Sequence, residues 1–293
     1  MNNISAKFSR RLPDRIKKVL RPIYISISRK RNEKKYGDVN NVIKRIKKYV
    51  KGDLILRVDE FDGEFIISTK SDLLARILRD GRYEPEWANE FLSHVTPGAE
   101  IIDVGANIGF YTIAAAKKGA RVLAIEPTAA AFRRLSENVR RNGVEAQVVL
   151  YHGLVSDIEG EREFHVIEGM EEYASMAPIQ AGYAREENQI LSKVRARTLD
   201  SLADEFGFRP SLIKVDTEGA EFLVFTGAKK IIEKYRPIVM SELSNLLLSG
   251  FDTSGDKVLE IFYKANYECR LAGGQPLRAG SDGYGEVVFL PRN

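Results

Sequence analysis

The sequence is poor in cysteine and histidine, and it has no long apolar run. The single cysteine, Cys269, excludes a framework of disulfides, and three scattered histidines without a C-x-x-C motif argue against a structural zinc site. No stretch approaches the roughly 18 consecutive apolar residues that a membrane-spanning helix needs. We expect no export signal, because the apolar stretch 22–27 is short and broken by serine. These features predict a globular protein of the reducing cytoplasm.

Positive charge is concentrated at the N-terminus. Residues 1–52 hold 17 Lys or Arg and three acidic residues, a net charge of +14, whereas the whole chain carries +4. The remaining 241 residues therefore carry −10. Apolar residues recur at helical spacing in 8–20 and again in 42–50, with basic residues between them. We interpret 1–52 as a basic amphipathic arm joined to an acidic domain, 53–293.

Three interpretations of this arm remain open. Its basic residues could bind an anionic membrane surface, where each adds about 1 kcal/mol, and the protein would then lie peripherally on the inner membrane face. Alternatively, its apolar stripe packs on its own domain. Nucleic-acid binding is the third interpretation, and it is the weakest because no recognition module accompanies the charge.

The most informative stretch is 100–127, which reads as a strand, a glycine turn, a helix and a second strand. Gly105 and Gly109 allow a tight turn and a close approach of the backbone to a ligand. Glu126 ends the second strand about 20 residues after the first glycine, where a carboxylate can accept hydrogen bonds from both hydroxyls of a ribose. The alternative is that these glycines only pack the helix on the strand. The spacing favours a nucleoside site.

The turn itself indicates which nucleoside binds. A dinucleotide site needs G-x-G-x-x-G around a pyrophosphate, whereas this turn reads D-x-G-x-N-x-G and includes Asn107. Asp103, just before the first glycine, would repel a pyrophosphate and would suit an ammonium or sulfonium group. S-adenosylmethionine carries both cations and a ribose. It is therefore the predicted cofactor.

A second informative stretch, 211–243, contains two more strands whose ends are acidic. Asp216 follows the first of them, Glu218 and Glu221 lie in the turn that comes next, and Glu242 ends the second strand. In an open parallel sheet, ligands bind beyond the carboxyl ends of the strands. Asp103, Glu126, Asp216 and Glu242 all fall at such ends, so we expect these four carboxylates to surround one crevice. Glu218 and Glu221 could instead only stabilise a helix N-terminus.

Segments outside the two motifs supply further candidates. Tyr83 and Glu84 open a helix in a cap, 53–97, that precedes the core, 98–293. Ser156 follows a third strand at a place that can lie against an adenine. Strand-like alternation brackets a polar segment without a clear period, which we interpret as part of a lid, 160–197.

The pair of motifs DVGANIGFYT and IKVDTEGAEFLVFTGA, followed by the strand 237–242, resembles the FkbM family of S-adenosylmethionine-dependent methyltransferases. The resemblance covers roughly 82–243. Thr217 stands where the family commonly has valine or isoleucine, and the residues that match its motifs are Asp103, Gly105, Asn107, Gly109, Glu126, Asp216, Glu218, Gly219, Ala220 and Glu221. The resemblance implies a class I methyltransferase fold, a doubly wound, mostly parallel α/β sheet with an antiparallel last strand. It also implies O-methylation of sugars, polyketides or other small hydroxylated molecules.

Methyl transfer to a hydroxyl needs a base, because an alcohol is a weak nucleophile at neutral pH. Asp216 is our first candidate, Glu218 the second and His152, after the third strand, a further one. Asp216 and Glu242 could instead hold Mg²⁺, which would lower the pKa of the acceptor hydroxyl directly.

Other functions remain open beside the leading interpretation, a methyltransferase acting on a glycan or glycolipid precursor. The alternatives are an NAD(P)-dependent oxidoreductase, a methyltransferase acting on nitrogen, and a binding protein without catalysis. The glycine turn and the absence of a Tyr-x-x-x-Lys motif disfavour the oxidoreductase. The binding protein is disfavoured because every expected acid is present.

Overall fold

The computed structural model describes residues 39–177, 189–278, 280 and 285–292. Its strands are β1 (Asp53–Val58), β2 (Gly63–Ser68), β3 (Glu100–Val104), β4 (Arg121–Glu126), β5 (Val148–His152), β6 (Leu154–Val155), β7 (Gly160–Ile167), β8 (Gln189–Arg197), β9 (Leu212–Val215), β10 (Ile238–Glu242), β11 (Tyr267–Leu271) and β12 (Glu286–Pro291). Its α-helices are α1 (Val39–Tyr49), α2 (Asp72–Asp80), α3 (Pro85–Ser93), α4 (Phe110–Lys117), α5 (Ala129–Arg141), α6 (Leu199–Phe206), α7 (Glu221–Thr226), α8 (Lys229–Tyr235), α9 (Asn245–Leu248) and α10 (Gly255–Lys264).

A seven-stranded sheet forms the centre of the molecule, in the order β11-β12-β10-β9-β3-β4-β5. The strands from β10 to β5 pair in parallel, whereas β12 runs antiparallel to both of its neighbours. All four residues of β9 are buried, as a strand in a sheet covered on both faces requires. The predicted α/β sheet with an antiparallel last strand is confirmed.

Hydrophobic cores cover both faces of this sheet. Side chains that follow one another on a strand point to opposite faces, so Ile101 belongs to one core and Ile102 to the other. Leu212 and Ile213 on the neighbouring strand divide in the same way. Because the strands are parallel, the carboxyl ends of β3, β4, β9 and β10 meet at one edge.

The basic cluster 42–50 lies on helix α1, which packs on the domain. Ile43 and Ile46 are buried in the first core, and Lys47 Nζ lies 3.0 Å from Asp72 Oδ1 on α2. For this part of the arm the apolar stripe therefore faces protein. The cluster 8–20 lies outside the described residues. Within the ranges that the structure describes, every helix is too short or too polar to cross a lipid bilayer.

The antiparallel strands β1 and β2 form a hairpin that packs beside α5 and helps to fix the glycine turn. Asn138 of α5 makes the connection: its Oδ1 accepts a hydrogen bond from Ile66 N at 2.7 Å, and its Nδ2 donates to Ile108 O at 2.9 Å. Asn138 is fully buried, so these bonds satisfy polar groups that have no access to water. The cap is thereby tied to the turn that carries Gly105 and Asn107.

The predicted lid region contains a second sheet. Strands β7 and β8 pair antiparallel along their whole length, and β6 pairs in parallel with β8. After β7 the chain continues as a segment, 168–177, that we call the cover segment. Residues 178–188 of the predicted lid lie outside the described residues.

The helix that follows the Glu218 turn is short. Helix α7 ends at Thr226, and a second helix, α8, follows after Gly227. At Gly227 the backbone passes so close to Ser156 that a Cβ would lie 2.2 Å from the Ser156 carbonyl oxygen. This tight contact between backbones explains why the chain bends here.

Candidate active site

The glycine turn brings the end of β3 against the end of β9. Gly105 has φ +77°, and a Cβ there would lie 1.9 Å from the carbonyl oxygen of Asp216. Gly109 has φ +94°, and a Cβ there would lie 2.6 Å from Leu135 Cδ1. A larger residue at Gly105 would therefore push the two strands apart, whereas one at Gly109 would have to displace the Leu135 side chain. At both positions the positive φ would strain it further.

Glu126 lies beside this turn, and its carboxylate is held in place by backbone amides. Oε2 accepts a hydrogen bond from Asn107 N at 2.9 Å, and Oε1 accepts from Thr128 N at 2.8 Å and from the Thr128 hydroxyl. The side chain is 4% exposed, and desolvation raises its pKa to about 7. These bonds fix the orientation of a carboxylate that borders a cavity.

This inner cavity lies between the turn, the end of β4 and the cover segment. Its polar wall includes Asn107, Glu126, Asp216 and Glu218. The rest of the lining is largely apolar, and it includes Ile125, Leu154, Val155, Phe164, Ala174 and Met176. A carboxylate facing apolar walls suits a ligand with hydroxyl groups at one end and a flat apolar ring at the other.

A larger outer cavity, of about 630 Å³, adjoins the inner one. Asn107, Glu172, Asp216 and Glu218 line both cavities. The outer wall also holds Asp72, Arg76, Tyr83, Glu84, Glu242, Leu247 and Glu286. Its volume lies within the range typical of small-molecule sites. Among its described lining residues, seven are acidic and one is basic.

Crowding of carboxylates perturbs the acids of this outer wall. Desolvation and the negative charges of Asp216, Glu242 and Glu221 raise the pKa of Glu218 to about 9. Desolvation and the charge of Asp216 also raise the pKa values of Glu84 and Glu242. The cavity therefore binds protons at neutral pH and favours a cationic ligand that would replace them.

Of the seven non-glycine residues with positive φ in the described part of the chain, three lie at the same place. Glu84, Asn107 and Glu218 have φ values of 44°, 49° and 52°, in the left-handed region that non-glycine residues rarely adopt. All three line the outer cavity. Strained backbone of this kind clusters at functional sites, where the surrounding structure compensates for its cost.

Two acids near the crevice have structural partners. Asp216 Oδ2 accepts a hydrogen bond from Lys214 Nζ at 3.2 Å. Glu221 is buried, and its Oε1 accepts from Thr217 N at 3.0 Å, Thr217 Oγ1 at 2.9 Å and Gly219 N at 3.3 Å. Glu221 thus holds the turn that carries Glu218, and it lines neither cavity.

Besides Glu221, three of the polar side chains selected from the sequence lie outside both cavities. Asp103 is buried, and its Oδ2 accepts from Thr112 Oγ1 at 2.6 Å. Ser156 is fully buried behind Val155, and its hydroxyl donates to Asp157 Oδ1 at 2.9 Å. The ring of His152 is stacked on Phe132 at 4.7 Å, with Nε2 3.2 Å from Pro127 O. Ser156 and His152 are not brought together with Asp216 and Glu218. The carboxylate of Asp103, which we expect at the crevice, lies behind it instead, where Lys214 Nζ is 3.9 Å from Asp103 Oδ1 and 3.2 Å from Asp216 Oδ2. The functional roles of Asp103, Ser156 and His152 stay predictions.

The cover segment contributes residues that the sequence analysis missed. Glu172 Oε1 accepts from Ser71 Oγ at 2.9 Å and from Asp72 N at 2.6 Å, at the N-terminus of α2. Ser175 Oγ donates to Glu218 O at 3.0 Å. The segment is thereby fastened to both sides of the crevice. No motif marks these residues, although the acidic pair Glu171-Glu172 in a predicted lid was a signal.

The structure offers no support for Mg²⁺ at Asp216 and Glu242. Across the described part of the chain, no group of three or more His, Cys, Asp or Glu side chains is arranged to hold a metal ion.

Tyr83 and Glu84, predicted as cofactor residues, line the outer cavity, and the Tyr111 hydroxyl donates to Glu84 Oε2 at 3.0 Å.

Comparison with known families decides the class of protein. Residues 103–269 match the methyltransferase FkbM domain, which is more than half of the chain. The chain belongs to the FkbM methyltransferase family. The two motifs that carried the resemblance, from Asp103 and from Asp216, both fall within the matched region.

Individual relatives of this FkbM domain cover shorter stretches. Over 179 residues the chain is 31% identical to the AMB antimetabolite synthetase AmbE of Pseudomonas aeruginosa. This aligned stretch covers 49% of this chain and 8% of the synthetase. Over 70 residues it is 41% identical to the ribosomal protein L11 methyltransferase of Desulforamulus reducens, 23% of each chain. The chain thus spans less than a quarter of the length of either relative. The crystal structure of methyltransferase FkbM from Methylobacillus flagellatus aligns with a TM-score of 0.43 at 16% identity, covering 66% of this chain and 43% of that one.

Proposed function

We propose that this chain is an S-adenosylmethionine-dependent O-methyltransferase that acts on a hydroxyl group of a small molecule, foremost a sugar in a glycan, glycolipid or secondary metabolite. The observation that carries the proposal is the position of Glu126, whose fixed carboxylate faces the inner cavity beside the glycine turn. A ribose bound there can donate both hydroxyl groups to one carboxylate.

The residues of the inner cavity fit S-adenosylmethionine. Gly105 and Asn107 of the turn line this cavity, and Val155 and Phe164 offer apolar walls for an adenine. Asp216 and Glu218, where the two cavities meet, offer negative charge to the cationic methionine part. When bound, S-adenosylmethionine supplies an electrophilic methyl group, and the electrons of the breaking C–S bond leave with the sulfur.

The chain's own residues would position and activate the acceptor. A hydroxyl in the outer cavity lies next to Asp216, and we assign to Asp216 Oδ1 the role of taking the hydroxyl proton as the new C–O bond forms. Glu218 suits this role less, because its pKa of about 9 leaves it protonated at neutral pH before a cation binds. His152 is left out because it lines neither cavity.

The lining of the outer cavity favours a neutral or cationic acceptor over an anionic one. Asp72, Glu84, Glu242 and Glu286 face this space beside a single arginine, Arg76, among the described lining residues. A phosphate or carboxylate would meet repulsion there. A hydroxyl-rich sugar would find many hydrogen-bond acceptors. The same acids would attract an amine, so transfer to nitrogen is our second candidate.

We also propose that the basic arm brings the enzyme to an anionic membrane surface on the cytoplasmic side. The exposed face of α1 carries Lys44, Arg45 and Lys48, and Tyr49 is 63% exposed. This face is close to the outer cavity, because Lys47 pairs with Asp72, which lines it. Sedimentation with liposomes of anionic lipid tests this membrane proposal. A variant that lacks residues 1–38 and carries reversed charges at Lys44, Arg45 and Lys48 should no longer bind the liposomes. Equal sedimentation of the variant and the wild type would refute the proposal.

Titration calorimetry tests the proposed cofactor. We expect S-adenosylhomocysteine to bind and NAD not to bind. Glu126→Ala should weaken binding about 10- to 100-fold, because hydrogen bonds to a charged acceptor contribute about 1.5–3 kcal/mol. Glu145→Ala, at an exposed position beyond α5, is the control and should leave binding unchanged. Binding of NAD, or unchanged affinity in Glu126→Ala, would contradict the proposal.

A labelled methyl group then tests the reaction and its acceptor. We expect transfer from S-adenosylmethionine to an alkali-stable product in glycan or secondary-metabolite extracts of a strain that lacks this gene. Mass spectrometry of the product distinguishes an O-methyl from an N-methyl group. Transfer to nitrogen alone would replace the leading proposal by the second one.

A further inference from the structure

Lys214 is a buried lysine in the middle of the central sheet. It lies on β9, is 3% exposed, and stands beside Asp103 of β3 in the parallel register. Its Nζ lies 3.2 Å from Asp216 Oδ2, 3.9 Å from Asp103 Oδ1 and 4.8 Å from the centre of the Tyr111 ring. One buried ammonium group therefore joins the acid behind the glycine turn to the acid in the crevice.

The ammonium group of Lys214 keeps its charge. Burial alone would lower the pKa of Lys214, but the negative charges of Asp216, Asp103 and Glu84 outweigh burial and raise it. A charged side chain inside a sheet is costly, and an apolar residue of similar size would avoid that cost. The position of Lys214 thus calls for an explanation beyond packing.

The acids of the crevice differ in their contact with this cation. Lys214 forms a hydrogen bond with Asp216, whereas the charge of Asp216 contributes to raising the pKa values of Glu84, Glu218 and Glu242. Among these carboxylates, Asp216 is thus the one with a buried cation at hydrogen-bond distance.

We propose that Lys214 is a positioning residue that holds Asp216 in place as the anionic carboxylate of the crevice, ready to take the proton of the acceptor. This inference rests on the proposed function, in which Asp216 is the base. Lys214 is itself fixed from behind, because Asp103 faces it and the Thr112 hydroxyl orients that carboxylate. The close contact of Gly105 with the Asp216 carbonyl oxygen fixes the backbone of the same residue.

Several other ionisable groups surround Asp216 and could influence a pH profile. They are Arg76 on α2, Tyr83 and Glu84 before α3, Tyr111 on α4, Glu218 after β9, Glu242 on β10 and Glu286 on β12. Lys214 forms an ion pair with Asp216, whereas Arg76 pairs with Glu84 at 3.8 Å. Replacement of Lys214 should therefore act on Asp216 first.

The test compares Lys214→Met with Lys214→Arg. In Lys214→Met we expect the acid limb of the pH–rate profile to move to higher pH, because Asp216 without its cation binds a proton more readily. A move of one pH unit lowers kcat about tenfold on that limb. At a pH above both limbs, KM for S-adenosylmethionine should change less than about twofold, because the residues that bind the cofactor are unchanged. Lys214→Arg keeps the charge and should recover the wild-type limb.

Two controls separate this role from a structural one. Thr112→Val removes a hydrogen bond to Asp103 but leaves the pair of Lys214 and Asp216, and it should keep the pH limb in place. Lys214→Met leaves the buried carboxylate of Asp103 without a cation and could therefore fail to fold. In that case the double variant Lys214→Met/Asp103→Asn removes this charge, and it should fold and still show the shifted limb. An unshifted limb in a folded variant that lacks Lys214 overturns the proposal.

A readout independent of activity distinguishes failure of this inference from failure of the proposed function. NMR titration of the labelled Asp216 carboxyl carbon should show protonation at higher pH in Lys214→Met than in the wild type. If the wild type transfers no methyl group but the NMR shift appears, the function is wrong and the role of Lys214 stands. If methyl transfer occurs and the titration is the same in both proteins, the role of Lys214 is refuted.

Discussion

Glu242 and Glu286 stand directly opposite each other on the antiparallel strands β10 and β12. Like charges at opposite positions destabilise a sheet, yet both residues line the outer cavity. Desolvation, followed by the charges of Glu84 and Glu242, raises the pKa of Glu286 to about 7. The carboxylates of Glu242 and Glu286 therefore repel each other at the mouth of the crevice, and a cationic or hydrogen-bond-donating ligand would relieve this repulsion.

Replacing Glu286 by Gln should therefore stabilise the protein, and more so at high pH. In the folded state Glu286 binds its proton up to about pH 7, whereas in the unfolded chain it ionises near pH 4.3. The folded state thus binds more protons in this window, and the carboxyl group lowers stability as pH rises through it. We expect a higher Tm for Glu286→Gln at pH 8 and almost no change at pH 5, measured by scanning calorimetry.

The control for this substitution is Glu268→Gln on the neighbouring strand β11. Glu268 is exposed and lines neither cavity, so its replacement should change Tm little at either pH. The Tm of Glu286→Gln could instead fall at pH 8, or change equally at pH 5 and pH 8. Either result would show that repulsion between Glu242 and Glu286 does not destabilise the folded state.

The sheet was predictable because its strands are short apolar runs that end in glycine or acid. The stretch that becomes β9 could be predicted with its bounds, since it is a buried strand followed at once by Asp216. Helix α6 was missed because its start, capped by Thr198, lies next to strand β8 without a glycine or proline between them.

The contents of the crevice were harder to predict than the sheet. Glu126, Asp216 and Glu242 could be placed because parallel strands end at one edge. Glu286 could have been placed in the same way, because an antiparallel strand begins at the sheet edge where its parallel neighbour ends, and Glu286 is the first residue of β12. Arg76 and Glu172 could not, because helix α2 and the cover segment reach the crevice through tertiary packing that no local pattern records.

Binding of a cation should release a proton from Glu218. Its pKa of about 9 in the free protein means that it is protonated at pH 7, and a positive ligand nearby would favour the ionised form. We expect binding of S-adenosylmethionine to release up to one proton, so that affinity increases with pH by up to about tenfold per unit between pH 6 and 7.5. Calorimetry in two buffers of different ionisation enthalpy measures this release.

Glu218→Gln is the matching variant for the proton release. The amide keeps the size of the side chain but has no proton to lose, so the dependence of the heat of binding on the buffer should fall. The same dependence on buffer in wild type and variant would show that another group releases the proton.

Substitution of Gly105 by Ala should disrupt the site far more than the same change at Gly81. Both glycines have positive φ, +77° and +71°, which costs an alanine about 1–2 kcal/mol. At Gly81, after helix α2, the added Cβ meets open space, whereas at Gly105 it would lie 1.9 Å from the Asp216 carbonyl oxygen. We expect Gly81→Ala to lower stability by that amount and to keep S-adenosylhomocysteine binding.

Gly105→Ala should lose S-adenosylhomocysteine binding in addition to stability, because β3 and β9 must move apart at the crevice. Urea denaturation and calorimetric titration of both variants measure the two effects. Retained binding in Gly105→Ala would mean that the turn can shift without loss of the site.

Arg134 and Arg133 allow a comparison of a buried and an exposed ion pair with the same partner. Arg134 is buried, and it lies 3.0 Å from Asp53 Oδ1 and 3.1 Å from Glu171 Oε2 in the cover segment. Arg133, 62% exposed, lies 3.3 Å from Asp53 Oδ2. Arg134→Ala leaves the buried Glu171 without its cation and should cost about 3–5 kcal/mol, whereas Arg133→Ala should cost less than about 1 kcal/mol.

The two variants should also differ in ligand binding. Glu171 lines the inner cavity, so loss of its partner should loosen the cover segment and weaken S-adenosylhomocysteine binding in Arg134→Ala but not in Arg133→Ala. Glu171→Gln in the Arg134→Ala background removes the unpaired charge and should restore part of the stability without restoring the binding, because the ion pair that fastens the segment to α5 stays absent. Equal losses in the two single variants would show that the cover segment is held by other contacts.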